Sequence, residues 1–474
     1  MRRASLVVAL SALASILAGC SLAPPYAPPP ITTPTAFKEI GPWTPASPDD
    51  AKARGNWWSV YNDPTLDGLE QRIEKGNPDL AVALARYDEA RALASQARAA
   101  LVPEVDANGG STTIHQSDHR PLRVGGPNNY DDDIAGGSTS YELDLWGRVR
   151  NMVAASKDQA QASAADLASV RLSLEAQLAD AYVNLRGLDA QAKLLTNTTN
   201  AYARALKLTQ ALHNGGAAPG LDVDRAQTQL QTARAQRIDI DAQRALLEHE
   251  IATLVGETAS TFSLPQVALL PDPPHTPVAA PSLLLQRRPD IDAAERRAAA
   301  ANAGIGVARA AFYPDITLNA AGGFESAGGI SLLQVANSWW TLGPSVSLPI
   351  FDGGRRKAQL RQAKDQFDEA SATYRSTVLS AFQQVEDELV ALRVLEQEAE
   401  VRDETAKSAH LAVTLTLNEY KAGTVDYTSV VTAQATALSA DQSMLTVLQE
   451  RQIASVTLIE ALGGGWTDAD LPKR

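Results

Sequence analysis

The sequence predicts an α+β chain in which very long coiled-coil helices are interleaved with a few strands, the whole plan written twice. Three observations predict it: an internal repeat, proline-free stretches with heptad periodicity, and short runs in which apolar and polar residues alternate.

The repeat organises everything else. Asn77-Pro78-Asp79-Leu80 returns as Arg288-Pro289-Asp290-Ile291, and Ala99-Ala100-Leu101-Val102-Pro103 as Ala310-Ala311-Phe312-Tyr313-Pro314, both 211 positions later. Gly147-Arg148 then matches Gly354-Arg355, Gly216 matches Gly423, Ala226-Gln227 matches Ala433-Gln434, and Leu254-Val255-Gly256 matches Ala461-Leu462-Gly463, all at offset 207. Two constant offsets separated by one drop describe a duplication with a single insertion. That insertion falls in the polar stretch from His115 to Asp133, since surface loops tolerate added length.

Each copy passes through the same periods in the same order. Residues 78–101 and 289–312 are alanine-rich, open on Pro at the first turn and stop before Pro103 or Pro314, which is helix grammar. Strand-like runs follow: Tyr141, Leu143 and Leu145 alternate with Glu142 and Asp144; Ile316, Leu318 and Ala320 with Thr317 and Asn319; and Leu342, Val346, Leu348 and Ile350 with polar Ser345 and Ser347. Long helices are predicted over 148–213 and 355–421, with return helices over 221–256 and 428–463 after a glycine-containing turn. From Leu167 the a positions are Leu167, Leu174, Ala181, Leu188, Leu195 and Tyr202, and the d positions Arg171, Leu178, Leu185, Ala192, Thr199 and Leu206. So regular a seam requires a partner helix. A helix of this length spans roughly 100 Å, so an elongated particle is expected.

The N-terminus reads as a targeting segment. Arg2 and Arg3 precede an apolar stretch from Leu6 to Leu17, which is too short to span a bilayer, and small residues lead to the single cysteine, Cys20. Leu17-Ala18-Gly19-Cys20 resembles the bacterial lipobox, which implies cleavage before Cys20 and acylation of it. Ser21 in the next position is compatible with sorting to the outer membrane. The proline-dense SLAPPYAPPPITTPTAF that follows is extended backbone, read as a semi-rigid tether.

Composition excludes several classes. The net charge of −13 and pI near 5.0 give no basic footprint for nucleic acid. One Cys rules out an internal disulfide or a cysteine metal cluster, and only three Met give no support to a soft-metal pathway. His115 and His119 sit in the polar loop rather than on a helix, and His213, His249, His275 and His410 have no partner at ligand spacing. Gly304-Ile305-Gly306 lacks a third glycine and is read as ending a helix, and there is no G-x-S-x-G. No enzyme and no cofactor are expected.

Alternating strands near ten residues fit an outer-membrane barrel, with Trp339 and Trp340, placed just before a strand, as an interfacial belt. A small sheet in a soluble lipoprotein is the competing reading. Four strands per chain cannot close a barrel, for which about eight are needed. Because lipid tolerates no open edge, membrane strands here demand oligomerisation, and two, three or four copies would each suffice to give about eight or more strands.

The residues LAGC at 17–20, Asn77-Pro78-Asp79-Leu80, Tyr141-Glu142-Leu143-Asp144-Leu145-Trp146-Gly147-Arg148, Arg288-Pro289-Asp290-Ile291, Leu348-Pro349-Ile350-Phe351-Asp352-Gly353-Gly354-Arg355 and Ala461-Leu462-Gly463-Gly464-Gly465-Trp466 resemble the TolC-like outer-membrane efflux channels, and among them the OprM- and NodT-like lipoproteins. The resemblance covers essentially the whole mature chain. It implies an α+β membrane protein: a homotrimer with a shared twelve-stranded barrel of four transmembrane β-strands per chain, above a periplasmic tunnel of long antiparallel coiled-coil helices. It also implies docking to a periplasmic adaptor and an inner-membrane pump, commonly of the RND class, that supplies the energy. A periplasmic coiled-coil scaffold or adaptor lipoprotein without a pore is the alternative.

The corresponding boundaries are a signal peptide over 1–19, a lipid-anchored proline-rich tether over 20–60, a first repeat over 61–265, a linker over 266–286, a second repeat over 287–465 and a tail over 466–474. In this family the turns near 213–224 and 420–432 form the closed periplasmic tip. Asp222, Asp224 and Asp426 are therefore expected as carboxylate rings, with Arg225, Lys421 and Tyr427 as closing ties. Thr428 and Thr432 occupy places where OprM-like members often carry Leu and Asp, a departure at the expected constriction.

Overall fold

The computed structural model of the chain describes residues 21–39, 56–119, 127–268, 272–274, 285–327 and 332–466. Cys20 and the signal segment lie outside the described residues, as do His275 and the tail from 467.

A 3₁₀ turn at Trp57–Tyr61 leads into α1 (Pro64–Gly76) and α2 (Pro78–Ala99). Asp63 caps α1, its Oδ1 accepting the Thr65 amide at 2.8 Å, with Pro64 at the first helical position. Asn77 starts α2 in the same way, accepting from the Leu80 amide at 2.9 Å. Strands β1 (Glu104–His115) and β2 (Asn129–Glu142) follow, then α3 (Arg148–Asn214) and α4 (Gly220–Leu254). The second series is α5 (Pro289–Ala310), β3 (Asp315–Ser326), β4 (Ser338–Ser347), α6 (Arg355–Lys421) and α7 (Tyr427–Ala461). Corresponding helices have equal lengths: 22 residues in α2 and α5, 67 in α3 and α6, 35 in α4 and α7.

The chain divides into two compact units, one of residues 1–30, 87–163 and 293–375, the other of 31–86, 164–292 and 376–474. The first holds the sheet, an antiparallel meander in the order β1-β2-β3-β4. Over the half of the sheet next to the helices the register sorts most side chains by type; nearer the β1–β2 loop Asp131 and Asp133 share the face of Val105, while Ile114, Tyr130, Ile134 and Trp339 share that of Glu104. One face carries Val105 and Ala107 of β1, Thr139 and Tyr141 of β2, Ile316, Leu318, Ala320 and Phe324 of β3, and Trp340, Leu342 and Val346 of β4. The other carries Glu104, Asp106, Asn108, Ser138, Ser140, Glu142, Thr317, Asn319, Thr341, Ser345 and Ser347. Strands β1 and β4 are the edges, with no further strand beside them among the described residues.

Some sequence expectations shift here. Leu143, Leu145, Leu348 and Ile350 lie beyond the strands: the Leu143 amide still donates to the Ile316 carbonyl at 3.0 Å, but β3 begins at Asp315, whose partner is Ser347, so Leu348 and Ile350 have nothing on β3 to pair with. His115 belongs to β1 and its ring bonds Asn129 across the strand pair, so the polar loop is shorter than expected. Trp339 and Trp340 are inside β4, not before it. Gly304 and Gly306 sit within α5 rather than at its end; Gly306 packs closely against Asn151 and Ala23, where a Cβ would lie 2.4 Å from the Asn151 side-chain nitrogen and 2.8 Å from the Ala23 Cβ.

The proline-rich segment is fastened as well as extended. Ser21 donates to Asn151 at 2.8 Å, the carbonyls of Leu22 and Pro24 accept from Arg309 and Asn302, and the Tyr26 phenol donates to Glu295 at 2.7 Å. Its prolines forgo local hydrogen bonding, and the side chains of α5 satisfy the carbonyls instead.

The second unit carries the larger core. Trp57, Trp58, Leu66, Leu69 and Ile73 pack with Leu174, Leu178, Tyr182 and Leu185. Trp57 and Trp58, assigned to the tether by sequence, are therefore core residues, and the Trp57 indole donates to Glu175 at 2.9 Å. Along α3 the heptad residues Leu174, Leu178, Ala181, Leu185, Leu188, Ala192, Leu195, Tyr202 and Leu206 are all buried, as a coiled-coil seam requires.

Candidate functional site

The two helix-to-helix turns are built identically. After α3, Gly216 takes φ +78° and the Ala217 amide donates back to Leu212 at 2.8 Å; after α6, Gly423 takes φ +75° and Thr424 donates back to Glu419 at 3.0 Å. This is a Schellman ending, which needs a left-handed residue and explains both glycines. The return helices start differently. Asp426 caps α7, accepting from the Ser429 amide at 3.0 Å and its hydroxyl at 2.9 Å, whereas Pro219 precedes α4 and offers no side-chain cap. On the first turn the His213 ring Nδ1 donates to the Ala218 carbonyl at 2.8 Å.

Side chains join the two turns. The Tyr420 hydroxyl donates to Asp222 Oδ2 at 3.4 Å, and Arg225 Nη1 lies 3.8 Å from Asp222 Oδ1. The same Arg225 nitrogen donates to Thr428 Oγ1 at 2.6 Å. The Tyr420 and Tyr427 rings pack at 5.2 Å and 60°, over a cluster of Tyr202, Leu206, Ala226, Leu230 and Val430. Burial pushes the Tyr427 phenol up to about 12 and raises that of Tyr420, so both remain protonated donors at neutral pH. The Ser429 amide and hydroxyl hold the Asp426 carboxyl below its usual range. Thr432 spends its hydroxyl on the Thr428 carbonyl at 2.9 Å.

Thus the expected residues separate into two groups. Asp222, Arg225, Tyr427 and Thr428 are brought together as a bridge between the hairpins. Asp224, Lys421, Asp426 and Thr432 are exposed. Asp222 is only 6% exposed and already engaged by Tyr420 and Arg225, so in this conformation it cannot line a water-facing carboxylate ring. Sequence reading missed Tyr420 and Tyr202. The signal available was a pair of tyrosines seven apart across the turn, in a chain with only 5% aromatic residues. Beside the cluster an open groove of about 450 Å³ is lined by Tyr202, Arg204, His410, Lys421, Gln434 and Asp441, with His410 Nε2 2.9 Å from Asp441 Oδ1.

No helix among the described residues is long and apolar enough to cross a membrane. The outer membrane efflux protein family matches this chain over residues 69–257 and 280–464. The chain belongs to the outer membrane efflux protein family. It is 32% identical to the probable efflux pump outer membrane protein TtgC of Pseudomonas putida, over 97% of this chain and 96% of that protein. To the outer membrane protein OprJ of Pseudomonas aeruginosa it is 32% identical, over 99% and 98%. The solved structure of the outer-membrane channel OprN superposes with a TM-score of 0.87 at 30% identity, over 94% of this chain and all of that one.

Membership of the efflux family and the TolC-like fold make this protein an outer-membrane efflux channel, mostly helical with an antiparallel sheet. The poreless scaffold or adaptor does not fit these relatives. Members of the family are conduits rather than enzymes.

Proposed function

We propose that three copies close a shared twelve-stranded barrel, and that the chain is the passive outer-membrane conduit of a tripartite efflux system, gated at its paired helix turns. The observation that carries this reading is the sheet, whose half next to the helices has one mainly apolar and one mainly polar face and whose two edges are open. In lipid such a sheet is stable only when each β1 edge pairs with the β4 edge of a neighbour, apolar face outward. Strands of 10 to 14 residues suffice to cross the hydrocarbon when tilted.

The gate follows from the turns. Tyr420 with Asp222, and Arg225 with Thr428, hold one hairpin against the other, so opening requires these ties to break. The trigger is a periplasmic adaptor docking at the turns, and energy comes from an inner-membrane pump, expected to be of the RND class. Cys20 carries the lipid that adds a second anchor; Ser21, its neighbour, is held by Asn151, so the acyl chains enter the bilayer from a fixed point. No cofactor other than this lipid takes part.

Electron microscopy of the mature protein, extracted from membranes in mild detergent, tests the reading. Three-fold particles with a strand ring at one end support it. A soluble monomer, or an open filament, refutes it.

A further inference from the structure

The offset of 207 that relates the repeats places the strand-to-helix junctions in correspondence, and the two junctions differ in charge. In the first, Arg148 Nε donates to Glu142 at 2.9 Å and Arg150 Nε pairs with Asp144 at 3.0 Å. The corresponding cations in the second are Arg355 and Lys357. The positions corresponding to Glu142 and Asp144 are Pro349 and Phe351. Asp352 does not compensate, because Arg356 takes it at 2.6 Å. Arg355 and Lys357 are therefore exposed, and neither has an ion-pair partner among the described residues.

The same junction also exposes apolar surface. The apolar residues of β4, Trp340, Leu342 and Val346, are followed directly in the chain by exposed Leu348, Ile350 and Phe351. Ile350 is 94% and neighbouring Phe351 89% exposed. An exposed apolar stretch that runs into two cations without a partner is the pattern of a membrane interface. Acyl chains cover the stretch, and phosphates neutralise the cations.

We infer that Arg355 and Lys357, with Ile350 and Phe351, form a docking site for an anionic phospholipid headgroup in the periplasmic leaflet of the outer membrane. The inference rests on the barrel reading above, since it requires the apolar face of β4 to meet lipid. The first junction, neutralised by Glu142 and Asp144, has no such site. Each chain therefore binds one lipid at one junction. Continuity in the chain with the apolar residues of β4 and the charge left over favour a lipid over a neighbouring copy.

The test uses the full-length protein reconstituted into nanodiscs of phosphatidylethanolamine containing a minor fraction of phosphatidylglycerol. Native mass spectrometry then counts the lipids retained. The wild-type protein should retain phosphatidylglycerol in preference to phosphatidylethanolamine. Arg355→Gln with Lys357→Gln should reduce that preference by about fivefold per cation removed, while Arg148→Gln, which removes a neutralised cation, should leave it unchanged. Single-channel conductance separates the two readings. A protein that inserts and conducts but shows no preference, or whose double variant keeps it, overturns the lipid site alone. Failure of the wild type to insert overturns both. A double variant that falls to monomers with an unchanged lipid count shows that the cations bind a neighbouring chain, and also overturns the proposal.

Discussion

The hydroxyl of Tyr420, one residue before the end of α6, donates to the carboxylate of Asp222 in the first turn of α4, so each hairpin is locked by a residue of the other. Both groups are buried, which makes the bond costly to lose and strengthens its hold on the two turns.

Tyr420→Phe removes that donor and keeps the ring. At 3.4 Å the bond contributes about 1 kcal/mol, so the closed-to-open ratio should fall about fivefold. Planar-bilayer recordings should show a higher resting conductance. A resting conductance equal to that of wild type would mean the lock lies elsewhere.

Charge selectivity should respond to the exposed carboxylates alone. Asp224→Asn and Asp426→Asn should lower cation preference, read as a smaller reversal potential in a salt gradient; Asn at 426 keeps the helix cap. Asp222→Asn should act on opening instead, because its carboxylate is buried. A selectivity change in the Asp222 variant as large as in the other two would contradict this division.

Glu70 makes folding pH-dependent. It is fully buried, neither oxygen has a hydrogen bond, and burial, helped by Glu175 and Asp67, pushes its carboxyl up to about 10. Its pKa in the folded chain is thus above the unfolded value, and between the two the folded state holds a proton that the unfolded state has lost. Stability falls as pH rises through this window, on the order of 1.4 kcal/mol per unit. Glu70→Gln should flatten the pH dependence of the melting temperature and raise it most near the alkaline end. An unchanged slope would refute a protonated Glu70.

Gly256 should tolerate no side chain. It follows α4 at φ +75°, and a Cβ would lie 2.0 Å from the carbonyl oxygen of Gly76 at the end of α1. Gly256→Ala should therefore cost about 2 kcal/mol or more, seen as a lower melting temperature. A variant that melts with the wild type would show that α1 can shift at little cost.

What the sequence made legible was periodic. Heptads gave α3 its buried seam, Pro78 and Pro289 marked helix starts, and the alternation from Ile316 to Ala320 gave β3 its two faces. What it hid depended on distant partners. The burial of Trp57 is fixed by Glu175, 118 residues away, while the prolines nearby advertised a tether. Asp222 looked like an exposed turn carboxylate because its partner, Tyr420, is 198 residues away. Leu348 and Ile350 continued a strand pattern whose hydrogen-bonding partner had already ended.

The open edges of β1 and β4 also have a genetic consequence. In the ring proposed above, a chain whose β1 cannot pair would still offer a sound β4, so it would join a growing ring and prevent closure. Co-expressed with the normal gene at equal level, such an allele would enter most rings, and the loss of export would be dominant rather than recessive.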